Sequence, residues 1–250
     1  MTLKGKHALV TGGGTGIGLA IARALADQGA QVTITGRRAD VLNEQAGGGL
    51  HAAVMDVDNE SSIKDVTAAA VAARGPVQIC VANAGIAIGR KAYKTELSFW
   101  RQIMRTNLDG VFLTIRESLH SMQETDYGRV IAVSSMAGLR GMPGGGAYSA
   151  SKHGVIGLMR SFSEDYLGTP ITFNSLCPAY VDTPIVSRGV KDISARAGID
   201  EAQALQVMVK SNRHKRLIAP EEVAEAALWL CHSNSGSVNG QEIQIAGGAL

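Results

Sequence analysis

Short apolar runs recur along this 250-residue chain, and a stretch with helical spacing separates almost every pair of them. HALVT, QVTIT, HAAVMD, VQICVA, RVIAVS, ITFNSLC and QEIQIA read as strands. Their apolar residues are nearly continuous instead of alternating with polar ones, so both faces of each strand need cover. Strands of that kind, spaced by helices, predict an α/β fold: a doubly wound parallel sheet of about seven strands with helices on both faces. The length is that of one such domain spanning 1–250, and no linker or repeat divides it. The least regular stretch runs over about 179–216, where a strand gives way to an amphipathic, polar-rich insertion before Pro220 opens another helix. Ligands bind at the carboxyl ends of strands in such a sheet, so the insertion is expected to be a lid over the site or else a surface excursion.

Composition narrows the function classes. With 45% hydrophobic and 18% charged residues and no long uninterrupted apolar run, the chain reads as globular and without a membrane span. MTLKGKHALV leads straight into a strand without a signal peptide's apolar region, so the expected location is cytoplasmic. Cys80, Cys177 and Cys231 lie far apart without C-x-x-C spacing, which predicts reduced, buried thiols and no metal. A net charge of +2 gives no reason to expect nucleic acid. The basic cluster Arg213 to Arg216 reads as a solvated helix end before it reads as a phosphate site, and Asn59-Glu60-Ser61 as a chance glycosylation match.

After the first strand comes TGGGTGIG, Thr11 to Gly18, followed by LAIARALADQGA with apolar residues at helical intervals. Strand, glycine loop and helix in that order let a backbone approach a pyrophosphate, whose charge meets free amides and the positive end of the helix dipole. The glycines follow G-x-x-x-G-x-G at Gly12, Gly16 and Gly18, and G-x-G-x-x-G fits in no register. At the end of the second strand, where a carboxylate would bind an NAD ribose, stand Gly36, Arg37 and Arg38. A guanidinium can grip a 2′-phosphate through paired charge-assisted bonds, so NADP(H) is favoured and NAD(H) is the other possibility. Asp56, ending the third strand at VMDV, is placed to bond an adenine or to cap the next segment. ANAG, Ala82 to Gly85, supplies a turn of small residues past which a cofactor could run.

In AYSASKHG, Tyr148 and Lys152 stand four residues apart, so a helix projects both from one side. Ser135, in AVSSMAG, lies thirteen residues before Tyr148. Together with TGGGTGIG, ANAG and TNLDG, this ordered set resembles the short-chain dehydrogenase/reductase family over essentially the whole chain, and more narrowly its NADP(H)-dependent carbonyl and 3-oxoacyl reductases. The resemblance implies a Rossmann-like fold and a catalytic tetrad of Asn107, Ser135, Tyr148 and Lys152. Tyr148 would act as general acid or base, with Ser135 orienting the substrate oxygen beside it. Strand alternation separates Ser135 from its competitor Ser134. A nearby ammonium stabilises a phenolate, so Lys152 is expected to lower the pKa of Tyr148 while also holding the nicotinamide ribose. Asn107 inherits the family's asparagine, whose main chain helps hold a water on a proton path.

The same resemblance implies cofactor contacts at Gly12, Thr15, Gly16, Ile17 and Gly18, at Arg37 and Arg38, at Asp56 and Val57, and at Asn83, Ala84 and Gly85. Tyr148, Lys152, Pro178, Val181 and Thr183 complete the set, the last three from CPAYVDTP, which resembles the family's P-G-x-V-x-T-P segment. Departures are Ala82 for asparagine, Ala179 for glycine and Ala246 for aspartate before the final glycine pair. The expected activity is hydride transfer between NADP(H) and a ketone or secondary alcohol, with 3-oxoacyl or 3-hydroxy-acid compounds leading other small hydrophobic ketones as substrates. A non-catalytic NADP(H) sensor or scaffold and an NAD-preferring alcohol dehydrogenase are the alternatives. The glycine-rich wall Gly138 to Tyr148, with Ile185, Val186, Ile193, Leu205 and Met208 of the insertion, would form an apolar pocket or pack the lid and its neighbours. The family expectation for assembly is a homotetramer or homodimer.

Overall fold

Seven parallel strands form one sheet: β1 (His7–Thr11), β2 (Gln31–Gly36), β3 (Leu50–Val54), β4 (Val77–Ala82), β5 (Gly128–Val133), β6 (Ile171–Pro178) and β7 (Glu242–Ile245). The computed structural model describes residues 2–210 and 212–248, so Ala249 and Leu250 of the AGGAL tail lie outside the described residues. The strand order is β3-β2-β1-β4-β5-β6-β7, and the apolar runs locate each strand to within one or two residues. The third run overshoots: β3 ends at Val54, which leaves Asp56 in the turn beyond it.

Crossover helices cover both faces, as near-continuous apolar strands require. They are α1 (Gly16–Asp27), α2 (Ala39–Gln45), α3 (Glu60–Arg74), α4 (Leu97–Met104), α5 (Gly110–Met122), α6 (Gly146–Asp165) and, after the insertion, α9 (Pro220–Leu230). Ala8 and Val10 of β1 face a core shared with Ile21 and Leu25 of α1 and with Val223 and Ala227 of α9. Leu9, between them, points to the other side and joins Ile115 of α5, Val155 of α6 and Phe173 of β6. Full burial of such a Leu, Ile or Val is worth about 1.5–3 kcal/mol. The order in which strands are added switches from one side of the sheet to the other between β1 and β4, so the loops leaving these two adjacent parallel strands diverge and open the crevice where such folds bind ligands.

The stretch expected to be irregular contains two well-made helices, α7 (Pro184–Ala197) and α8 (Glu201–Val209). Thr183 and Pro184 start α7, and Gly198 ends it in the left-handed region at φ 64°. Asp200 opens α8 with a reciprocal capping box to Gln203. Val186, Val190, Ala204 and Met208 bury one another, and Ile193 and Leu205 pack against them, so these apolar residues form a core of the insertion itself. Ile185 stays exposed. The insertion closes at its base: Val181 pairs with Ile218, and the Asp182 amide donates to the Ile218 carbonyl at 2.9 Å.

The basic cluster following α8 is a turn. Arg216 grips Glu222 of α9 through two bonds of 2.6 and 2.8 Å, which together with the Ala219 amide pull the Glu222 carboxyl down to about 2. Arg213 and His214 lie where a Cβ on Gly248 or Gly247 would stand, which explains the final glycine pair. All three cysteines are free and buried, and among the described residues no helix is long and apolar enough to cross a membrane.

Candidate active site

The loops after β1 and β4 are tied into one unit. Thr11, the last residue of β1, accepts from the Asn83 and Ala84 amides through its hydroxyl at 3.0 Å each. The Asn83 side chain donates back to the carbonyls of Thr11 at 2.9 Å and Gly12 at 3.3 Å. A Cβ on Gly18 would stand 2.4 Å from both the Asn83 amide nitrogen and the Gly12 carbonyl oxygen, so only glycine permits this approach. Gly16 holds φ +54°, and a Cβ there would meet the Thr183 methyl at 3.1 Å. The start of α7 therefore hangs over the glycine loop. Thr15, the N-cap of α1, makes no side-chain capping bond. An open backbone cradle with uncapped amides at a helix N-terminus fits the pyrophosphate of a dinucleotide.

Around the cradle, Gly36 gives way to Arg37 and Arg38, both exposed and neither in an ion pair among the described residues. Asp56 accepts from the Asp58 amide at 3.1 Å, while the cap of α3 is Asn59; the capping alternative for Asp56 thus reduces to a local turn. Val57 packs against Gly110, where a Cβ would come within 3.1 Å of it. Pro178 ends β6, Val181 is buried, and the Thr183 hydroxyl donates to the Val181 carbonyl at 3.2 Å.

At the reactive end the two serines separate as strand alternation predicts. Ser134 is buried and donates to the Lys152 carbonyl at 3.0 Å, fastening α6 to the end of β5. Half-buried Ser135 lies beside the Tyr148 hydroxyl and opposes the rise in that group's pKa. The expected lowering of Tyr148 by Lys152 does not occur in this state. Burial of the hydroxyl dominates and raises Tyr148, with Ser135 pulling the other way and Tyr180 adding to the rise. The lysine ammonium sits 5.9 Å from the Tyr148 ring centroid and donates to the Val133 carbonyl at 2.7 Å. It is itself buried, which brings Lys152 down to about 8. An ammonium has three donors, so two remain for a ligand. Cys177, adjoining this cluster, is held as a thiol by burial, at about 11.

Asn107 occupies a π-helical turn, Arg105–Asp109, between α4 and α5, a distortion common at functional sites. Its fully buried side chain accepts from the Ile86 amide at 2.8 Å and donates to the Ile86 carbonyl at 2.9 Å and the Ser151 hydroxyl at 3.2 Å. The amide is thus consumed in fixing the segment after Gly85, leaving the main chain of this turn to meet any water. A Cβ on Gly85 would come within 3.7 Å of the Lys152 ammonium, which places that turn directly against the lysine.

The sequence reading passed over Thr11, Ser151, Tyr180 and Asn212. Thr11 stood inside a quoted motif without a role of its own. Tyr180 occupies a variable position of the P-A-Y-V-D-T-P run, yet its phenol reaches the neighbourhood of Tyr148. Asn212 binds the Tyr180 amide at 3.1 Å and carbonyl at 2.9 Å, a long-range clamp that leaves no local signature. The substituted alanines are absorbed by packing: Ala246 is buried with Met136, Ile156 and Cys177, and Ala179 lies against the same group.

The chain is similar to known proteins in sequence and fold. The family model described as short chain dehydrogenase matches residues 6–193. D-beta-hydroxybutyrate dehydrogenase of Rhizobium meliloti (strain 1021) is 34% identical, covering 97% of this chain and 98% of that protein. 3beta-hydroxysteroid dehydrogenase of Mediterraneibacter gnavus is also 34% identical, over 97% of this chain and 94% of that one. A variant of actinorhodin polyketide ketoreductase, solved with NADPH, superposes with a TM-score of 0.93 at 31% identity, covering 97% and 96% of the two chains.

Proposed function

The chain belongs to the short-chain dehydrogenase family and is an oxidoreductase of ketone and alcohol substrates, and from that premise we propose that it is an NADP(H)-dependent carbonyl reductase with Tyr148 as the proton donor. The observation that carries this reading is the buried Lys152 ammonium, 5.9 Å from the Tyr148 ring centroid and spending one of its three donors on the Val133 carbonyl among the described residues. A nicotinamide cofactor, when bound, supplies the hydride chemistry. Thr15, Gly16, Ile17 and Gly18 would hold its pyrophosphate, with Gly12 and the Asn83–Gly85 turn framing the passage. Asp56 and Val57 would border the adenine, while Pro178, Val181 and Thr183 would border the nicotinamide.

Reduction of a ketone builds negative charge on its oxygen. Ser135 donates a hydrogen bond to that oxygen and orients it, and Tyr148 gives up its proton. A tyrosine whose pKa burial has raised remains protonated through the neutral range, which suits reduction. Lys152 stabilises the phenolate left behind and would bond the ribose hydroxyls; Asn107 fixes the turn on which this geometry rests.

Exposed Arg37 without an ion-pair partner supports NADP(H) over NAD(H), and Arg38 stands beside it as a second contact. The 3-oxoacyl and 3-hydroxy-acid compounds lead the substrate classes, in keeping with the hydroxybutyrate dehydrogenase and polyketide ketoreductase relatives. Leu97 and Trp100 on α4 and Phe112 on α5 expose apolar surface, which supports a homotetramer or homodimer; a monomer by light scattering would reject it. The purified protein is expected to oxidise NADPH with a suitable ketone. Tyr148→Phe is expected to lose at least about a hundredfold in kcat, the scale of general acid catalysis, with NADPH affinity kept. Full turnover in that variant would sink the assignment. For Arg37→Ala, the ratio of NADPH to NADH affinity should fall, and an unchanged ratio removes Arg37 as the phosphate reader.

A further inference from the structure

Among the described residues the Tyr180 hydroxyl is a polar group without an adequate partner. Its contact is the Met142 sulfur at 3.9 Å, a weak acceptor, although Asn212 clamps the residue's backbone from both sides. A rigidly held, half-buried phenol left without a strong bond among the described residues points to a ligand that completes it. Burial raises the Tyr180 phenol while the Arg140 guanidinium pulls it the other way, and Tyr180 in turn adds to the rise at Tyr148. Arg140 is exposed and has no ion-pair partner among the described residues. It leaves the short turn Met136–Gly138 two residues before Met142, on the wall beside the reactive tyrosine.

Charge along the chain agrees. Between Asp126 and Glu164 there is no carboxylate, and none occurs between Asn83 and Thr95. These are the two stretches that frame the site, joined where the Arg90 amide donates to the Gly144 carbonyl at 2.7 Å. They carry Arg90, Lys91, Lys94 and Arg140. The lid-base carboxylate, Asp182, lines a pocket with Thr183, Arg188 and Lys191. A neutral hydrophobic ketone would gain nothing from this asymmetry, whereas an anion would.

Resting on the reductase reading above, we propose that Tyr180 and Arg140 form a subsite for a carboxylate two carbons from the reacting carbonyl, so that the substrate is a short 3-oxo acid or the matching 3-hydroxy acid. The ketone oxygen lies at Ser135 and Tyr148. One methylene separates the carbonyl carbon from the carboxyl carbon, whose oxygens accept from the Tyr180 phenol and the Arg140 guanidinium. A short link matches a phenol that touches Met142, six residues before Tyr148 on the same wall; a distant charge would pass Tyr180 by.

The test compares 3-oxobutanoate, its methyl ester and 2-butanone under saturating NADPH, with NADPH affinity by fluorescence as a control of folding in each variant. Charge-assisted bonds set the scale at about tenfold or more in selectivity. Wild type should prefer the acid to 2-butanone by at least that factor in kcat/KM. Arg140→Ala should cut the acid-to-ketone ratio about tenfold through KM, with Arg140→Lys recovering part of it. Tyr180→Phe should raise KM for the acid and the ester together. Equal ratios in wild type and Arg140→Ala would overturn the subsite while leaving the reductase intact. No turnover of any of the three by wild type would refute the reductase reading and the subsite with it.

Discussion

Lys152→Met removes a buried ammonium while keeping most of its apolar stem, and its effect should depend on pH in a defined direction. Burial lowers Lys152 from 10.5 to about 8. The difference, 10.5 less 8, is about 2.5 units, or about 3 kcal/mol at roughly 1.4 kcal/mol per unit. Between these two values the unfolded chain binds more protons at this residue than the folded one, so stability rises with pH across the window. The cost of the charge is fully present below about pH 8 and is relieved as pH approaches the unfolded value of 10.5. The methionine variant carries no such term. Its lost bond to the Val133 carbonyl, an acceptor left bare at a cost of about 1–3 kcal/mol, shifts the comparison equally at every pH. Other groups, including Tyr148 and Cys177, titrate in both chains and largely cancel. Urea unfolding of cofactor-free protein at several pH values from about 7.5 to 10, followed by fluorescence of Trp100 and Trp229, gives the difference in unfolding free energy. That difference should move toward wild type by most of about 3 kcal/mol. Two parallel stability curves would show that Lys152 is not paying a burial cost and would refute the reasoning.

Further outcomes test other parts of the site. Gly18→Ala forces a methyl into the contact between Asn83 and Gly12; NADPH affinity by titration should fall at least about tenfold, along with a lower Tm, and normal binding would remove the tight junction from the cofactor cradle. Asn107→Ala strips the amide and carbonyl of half-buried Ile86 of their partners, so chemical denaturation should show a loss of about 2–4 kcal/mol; a change below about 0.5 kcal/mol would contradict the clamp. Because burial raises Tyr148, initial alcohol-oxidation rates should still be climbing above about pH 9 while ketone reduction stays level between about pH 6 and 8. An oxidation plateau reached at neutral pH would place the titrating group elsewhere.

The strands were legible because their apolar runs obey a demand made locally, burial on both faces, and HALVT and VQICVA coincide with β1 and β4 residue for residue. The glycine loop and the Tyr148–Lys152 pair were legible for a similar reason, since backbone approach and helical spacing are short-range properties. The lid was not. Val186 and Val190 show helical spacing, but their partners Ala204 and Met208 lie on another helix, and nothing in either segment says whether such residues face a substrate, a subunit or one another. Sequence also named Lys152 as a neighbour of Tyr148 without reporting the loss of solvent around the phenol, so the sign of the pKa shift came out opposite. Tyr180 was hidden for the same cause: its role depends on Asn212, a residue 32 positions away that fixes its backbone.

The polar side chains around the crevice divide by how their hydrogen-bonding capacity is used. Thr11, Asn83, Asn107, Ser134 and Asn212 spend their main bonds on backbone groups of other segments, and networks satisfied in this way stiffen what they join. Ser135, Tyr148, Tyr180, Arg37 and Arg140 retain hydrogen-bonding capacity among the described residues, as do two donors of Lys152, and in the proposed mechanism that capacity serves the ligand. A residue of the first kind cannot also grip substrate without breaking a loop it holds, so its loss should reduce stability and misplace every reacting group together. Loss of a residue of the second kind should leave the fold standing and remove one interaction. Asn107 shows why the distinction matters: it resembles a catalytic residue by motif, yet both hydrogens of its buried amide are spent on Ile86 and Ser151. In the proposed mechanism its contribution therefore runs through the Ile86 turn that sets Gly85 against Lys152.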